Sequence, residues 1–154
     1  MGSISGSGTV SAALTLAWVI SCTPAPAQNP AGVTLDIAVS GLRNAKGNVL
    51  ACMTDKPAFF LKCDKDPQSR KLRITAGQAQ SIRFADVHPG TYAIAFIHDE
   101  NANNKMDMTL FLPKEGFGFS RNPKMGMGPP KFASAAFVVG AVDAKMVVVM
   151  KYML

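Results

Sequence analysis

Apolar side chains recur at every second position along much of this chain. In 33–39, Val33, Leu35, Ile37 and Val39 share one parity, and an extended strand puts residues at that spacing on one face. The alternation returns in 71–75 with Leu72 and Ile74, and in 80–84 with Ile82 and Phe84. In 91–98, Tyr92, Ile94, Phe96 and His98 share one face, while Ala93, Ala95 and Ile97 make the other small and apolar, which predicts a central strand. The segments 48–54, 133–139 and 145–152 are further strand candidates. Turn signals separate them, among them Ser40-Gly41, Asn44 to Gly47, Ala76-Gly77 and Pro89-Gly90. About seven short strands with frequent turns predict an all-β fold, a single antiparallel β-sandwich. The only helical candidate is the short stretch from Pro57 to Leu61.

Composition closes off other classes. Of the 154 residues, 48% are apolar and 17% charged, enough apolar surface for one core and too little charge for a disordered chain. No apolar run reaches the roughly eighteen residues that a spanning helix requires. Sixteen Lys and Arg against ten Asp and Glu give a net charge of +6, but the basic residues are scattered. A nucleic-acid partner is therefore not expected.

Residues 1–27 carry no Lys, Arg, Asp or Glu. The apolar stretch Val10 to Cys22, followed by Ala25-Pro26-Ala27, has the form of a signal peptide with a mature start near Gln28. The expected organisation is a signal peptide over 1–27, a short linker over 28–32 and one domain over 33–154, located in the periplasm or secreted. Val19-Ile20-Ser21-Cys22 also fits a bacterial lipobox, in which Cys22 would carry a lipid anchor; both readings stand at this point. Export leaves Cys52 and Cys63, an even pair expected to form a structural disulfide. A metal or redox role would call for a CxxC spacing or a neighbouring His, and neither is present.

From Asp99 to Phe132 the alternation lapses for about thirty residues, longer than an ordinary loop. Phe111, Leu112, Phe117, Phe119 and several Met punctuate its Gly and Pro, which predicts one long ordered loop.

Five sequence stretches together resemble the bacterial DUF2141 family: Ser40 to Gly47, Pro89 to Ala93, His98 through Asp107, Pro113 to Ser120, and Gly128 to Phe132 with Ala136-Phe137. The resemblance spans nearly all of the predicted domain in order. It implies an exported Ig-like or prealbumin-like β-sandwich of the transthyretin or carboxypeptidase-regulatory kind, with no established activity. Ala102 and Asn104 stand where the family's acidic loop has glycines, and Met106 stands where it has Leu.

Three candidate sites follow. Asp99, Asn101, Asn103 and Asp107 fall at the first, third, fifth and ninth positions of an EF-hand-like loop, and Lys105 would lend a backbone carbonyl at the seventh, so calcium is the candidate cofactor. The competing reading is a loop in which Asp and Asn side chains bond their own backbone. His98 with Glu100 or Glu115 would make a small hydrolase, although adjacent strand residues face opposite ways and no nucleophile motif is recognisable. A zinc site on His88 and His98 lacks a third ligand. His98, Glu100, Glu115, Phe117, Phe119 and Arg121 form a candidate surface for an envelope or extracellular ligand; alternatively, the Phe and Met residues cap an open end of the sheets, with Lys124 and Lys131 solvated outside. The sequence reading is thus of a non-catalytic exported module, with the hydrolase as its rival.

Overall fold

The computed structural model describes residues 1–3, 6, 31–126 and 128–154. The Val10 to Cys22 stretch, the Gln28 start and Met127 lie outside the described residues. Ten strands follow one another in the described chain: β1 (Val33–Ser40), β2 (Asn48–Thr54), β3 (Arg70–Thr75), β4 (Ser81–Val87), β5 (Gly90–Asp99), β6 (Met108–Thr109), β7 (Leu112–Pro113), β8 (Gly116–Phe119), β9 (Phe137–Val139) and β10 (Ala144–Val149). One helical turn, α1 (Phe132–Ala135), precedes β9, and 3-10 turns span Pro57–Phe59, Cys63–Lys65 and Ala76–Gln78. No helix among the described residues is long and apolar enough to cross a membrane.

The strands form a three-stranded sheet in the order β10-β1-β4, a larger sheet in the order β3-β2-β5-β8, and a separate β6–β7 hairpin. β9 pairs with the first residues of β5, Gly90 to Tyr92, while β8 pairs with Ala95 to His98 on the same strand. The alternation of the sequence is realised as burial. Leu35 and Ile37 of β1, Ile82 and Phe84 of β4 and Val148 of β10 join Val49 and Met53 of β2 and Ile94 and Phe96 of β5 in one core. Each large side chain buried there contributes about 1.5–3 kcal/mol.

Three expectations change. The pairing is not purely antiparallel: β10 runs parallel to β1, with Leu35 opposite Ala144 and Val39 opposite Val148. The long loop holds more regular structure than its pattern suggested, since β6, β7, β8 and α1 all lie between Asp99 and Ala136. The strand expected from Ala133 begins only at Phe137, because Phe132–Ala135 form a helical turn whose Ala135 carbonyl accepts the Ser120 hydroxyl at 2.6 Å.

The outer face of β5 is covered as well. Ala93 lies at 0% exposure in a second cluster with Phe60, Phe117, Phe119 and Ala135, against which Ala95 and Phe132 pack. Phe60 meets Phe119 with ring centroids 6.1 Å apart and Phe132 edge-on at 5.9 Å. Cys52 on β2 and Cys63 form a disulfide with Cα atoms 6.3 Å apart, which pins the intervening segment so that Phe60 stays on this face. Small residues on β5 are what make room for these rings.

Candidate functional site

The end of β5 carries the chemistry. His98 and Asp99 are both fully buried, and Glu100 begins the turn that follows. His98 Nδ1 lies 2.6 Å from the Tyr152 hydroxyl and Nε2 lies 2.9 Å from the Lys46 carbonyl oxygen. A carbonyl can only accept, so Nε2 carries the hydrogen and Nδ1 accepts from Tyr152. Burial pushes the Tyr152 phenol up, which keeps that proton in place. The same hydroxyl accepts the Arg43 backbone N–H at 3.1 Å. Both ring nitrogens of His98 are thereby committed inside the fold.

Glu100 is gripped from the β1–β2 connection. Arg43 donates to both its carboxylate oxygens, with Nε 3.0 Å from Oε1, and the Asn44 amide donates to Oε1. Arg43 holds the Glu100 carboxyl below its usual range, against the opposing pull of burial. The guanidinium carbon of Arg43 stacks 4.5 Å over the Tyr152 ring, and its Nη1 donates to the Leu154 carbonyl at 2.6 Å. Gly47, at φ +66°, closes this connection: a Cβ there would run into the Asp99 carbonyl, so only glycine lets the turn lie against the end of β5.

Glu115, just before β8, is buried and accepts the backbone N–H groups of Glu100 and Asp107, each at 3.2 Å. Burial raises its carboxyl, and the nearby charges of Asp99 and Asp107 push the same way. Asp99 accepts the N–H of Asn103 on Oδ1 at 3.0 Å and that of Asn104 on Oδ2 at 2.7 Å. Asp107 accepts the Asn103 amide on both oxygens at 3.1 Å and the Asn101 amide at 2.7 Å, and these amides hold its carboxyl low. Asn103 Oδ1 in turn accepts the Lys105 N–H at 3.0 Å. Ala102 and Asn104 take the left-handed conformation at φ 59° and 66°, so the tight loop forms without the family's glycines.

A calcium ion needs six to eight oxygens converging on one point. In this loop the Asp99 oxygens face backbone N–H groups, and Asp107 is surrounded by amide donors. As arranged, the carboxylate oxygens are satisfied by neutral N–H donors instead of converging on a cation, and the residues do not fit calcium without rearrangement.

The expected ligand surface divides in two. Phe117 and Phe119 stand opposite Ile97 and Ala95, whereas Gly116 stands opposite His98. The two rings therefore project from the face of the sheet opposite to His98. They sit in the outer cluster at 5% and 8% exposure, beside Met125, and cover the outer face of β5. Arg121 is exposed and donates to the Ala136 carbonyl at 3.0 Å, apart from the His98 and Glu100 network. The structure brings together His98, Asp99, Glu100, Glu115 and the Asn101–Asp107 loop.

Arg43, Asn44, Lys46 and Tyr152 also belong to the site, although the sequence reading gave them no role there. The Asn44 to Gly47 turn is the visible signal for the residues of the β1–β2 connection, while Tyr152 shares the parity of Met146, Val148 and Met150, which marks it as inward-facing but not as a partner of His98. At the other end of β5, Asp55, Arg70, Asp86, His88 and Tyr92 line an open hollow of about 320 Å³. His88 thus lies far along the strand from His98.

A protein-family model, DUF2141, described as an uncharacterized protein conserved in bacteria, matches residues 37–147. No curated protein and no solved structure matches the chain.

Proposed function

The chain belongs to the DUF2141 family, and from that premise we propose that it is an exported, non-catalytic β-sandwich module of Ig-like or prealbumin-like type. Its role is to present the rim at the end of β5 to an envelope or extracellular ligand. One observation carries the non-catalytic part: His98, Asp99 and Glu115 each use both of their polar atoms within the fold. A general base needs one such atom open to substrate. No buried side-chain nitrogen or oxygen among the described residues lacks a partner. Two layers of inward-facing strand residues in one core support the sandwich, and the Cys52–Cys63 disulfide supports export. The Asp99–Asp107 loop is in this reading a hydrogen-bonded brace that needs no ion.

The test is His98→Ala. A structural histidine predicts a large fall in melting temperature, whereas an unchanged melting temperature with loss of a hydrolytic activity overturns the proposal. Melting with millimolar calcium and with chelator should give the same temperature; a rise with calcium would restore the metal reading. Intact mass of the purified mature chain separates a Gln28 start from a lipidated Cys22.

A further inference from the structure

Between the acidic loop and β8 the chain makes a small projection. β6 and β7 pair antiparallel, Met108 opposite Pro113 and Thr109 opposite Leu112, around the two-residue turn Leu110-Phe111. Leu110 is 87% and Phe111 95% exposed, with Met108 and Leu112 half-exposed beside them. Both turn residues have positive φ, 47° and 69°, the backbone of a tight hairpin turn that Asn and Gly ordinarily occupy. The chain therefore holds its two most apolar turn residues outward in a conformation neither prefers.

We infer that the β6–β7 hairpin is a membrane-contacting finger that places Leu110 and Phe111 in the interface of an anionic lipid bilayer. Three observations select this occupant. The apolar groups sit on a convex tip, which a fluid interface can accept without a preformed pocket. The hairpin pairs its own strands, so little unpaired backbone enters the low-dielectric region with the side chains. The charge at its base is complementary to anionic headgroups. Lys105 and Lys114 are exposed and act through space on Asp107, which lies between them in the chain. Of the neighbouring acids, Asp99 and Glu115 are buried on backbone N–H groups, and Glu100 is paired with Arg43. Asp107, held as the carboxylate by Asn101 and Asn103, is half-buried, which leaves Lys105 and Lys114 as exposed charges at the base. Two lysines beside an apolar tip favour anionic over neutral lipid. The inference does not depend on what the rim binds.

The experiment uses the full chain with Trp18→Phe, which removes its single Trp, and adds Phe111→Trp as a local reporter. With phosphatidylglycerol vesicles the emission should shift to the blue and be quenched by brominated acyl chains; with pure phosphatidylcholine both effects should be much weaker. Adding Lys105→Glu and Lys114→Glu should weaken the anionic binding at least about tenfold. A reporter at Val138→Trp, also exposed, should stay in water. Because the reporter is local, binding through the apolar Val10 to Cys22 stretch leaves the Phe111→Trp signal unchanged, and an unchanged signal overturns the inference. Equal quenching at Val138→Trp also overturns it, as does a blue shift in buffer alone that grows with protein concentration and assigns the tip to a second copy.

Discussion

The rim around His98 and the hairpin tip lie within fifteen residues of each other in the chain, and they handle their side chains in opposite ways. At the rim, His98, Asp99 and Glu115 are buried with every polar atom bonded, beside a half-buried phenol and half-buried or exposed amides that are bonded as well; at the tip, Leu110 and Phe111 stand in solvent on a strained turn. A buried polar group left without a partner costs about 1–3 kcal/mol, so the contacts of His98, Asp99 and Glu115 are needed for the fold itself. An exposed Leu or Phe contributes almost nothing to folding, and its left-handed backbone costs about 1–2 kcal/mol per residue. Polar residues in a cluster thus do not by themselves mark a catalytic site, and residues that weaken the fold are a separate sign of an outside contact.

The comparison breaks most sharply at Tyr152. Tyr152→Ala removes the hydroxyl that serves His98 and Arg43 and the ring under the guanidinium, and should lower unfolding free energy by about 3 kcal/mol in denaturant titration. A loss below about 1 kcal/mol would mean that the rim is less tightly wired than its contacts indicate.

Next comes Glu100→Gln, expected to cost about 1–2 kcal/mol at neutral pH. The folded Glu100 carboxyl sits below its unfolded value, so its contribution is present above the unfolded pKa and is lost as pH falls through the folded one. Melting temperatures of the wild type and Glu100→Gln should therefore converge on acidification below the ordinary carboxylate range. Glu115 works in the other direction, because its raised carboxyl favours the fold below the unfolded pKa and loses that advantage as pH rises through the folded one.

The smallest effect, and the only one of opposite sign, belongs to the tip. Leu110→Asn with Phe111→Gly supplies the residues that the turn prefers and should raise stability by about 1 kcal/mol while removing its apolar surface. A clear destabilisation would show that the two side chains support the fold, and the contrast between rim and tip would fail.

Much of this architecture could be read in advance. The parity of Val33 to Val39, of Ile82 and Phe84, and of Ile94 and Phe96 fixed both strand and inner face, and the small outer residues of β5 marked it as central. Parity carries no strand direction, so the parallel β1–β10 pair was invisible. β8 escaped because Gly116-Phe117-Gly118-Phe119 reads as a glycine-rich loop. Gly116 is there for proximity: a Cβ would collide with the Tyr152 ring. At the site, Asp99 through Asp107 were legible as one cluster. Their partners Arg43 and Tyr152 come from segments 57 and 54 residues away from Glu100 and His98, and such pairing is decided by topology instead of local pattern.

The parallel pair has a temporal consequence. Thr34, on β1, bonds Asp143 just before β10, across 109 residues of chain. Until the ribosome has delivered that distant segment, the first strand keeps one row of backbone donors and acceptors without its permanent neighbour. A nascent chain of this kind stays open until the β10 segment has been made, a state suited to handover to a chaperone. By the same logic, messages cut short before β10 should yield sticky fragments rather than a smaller working domain.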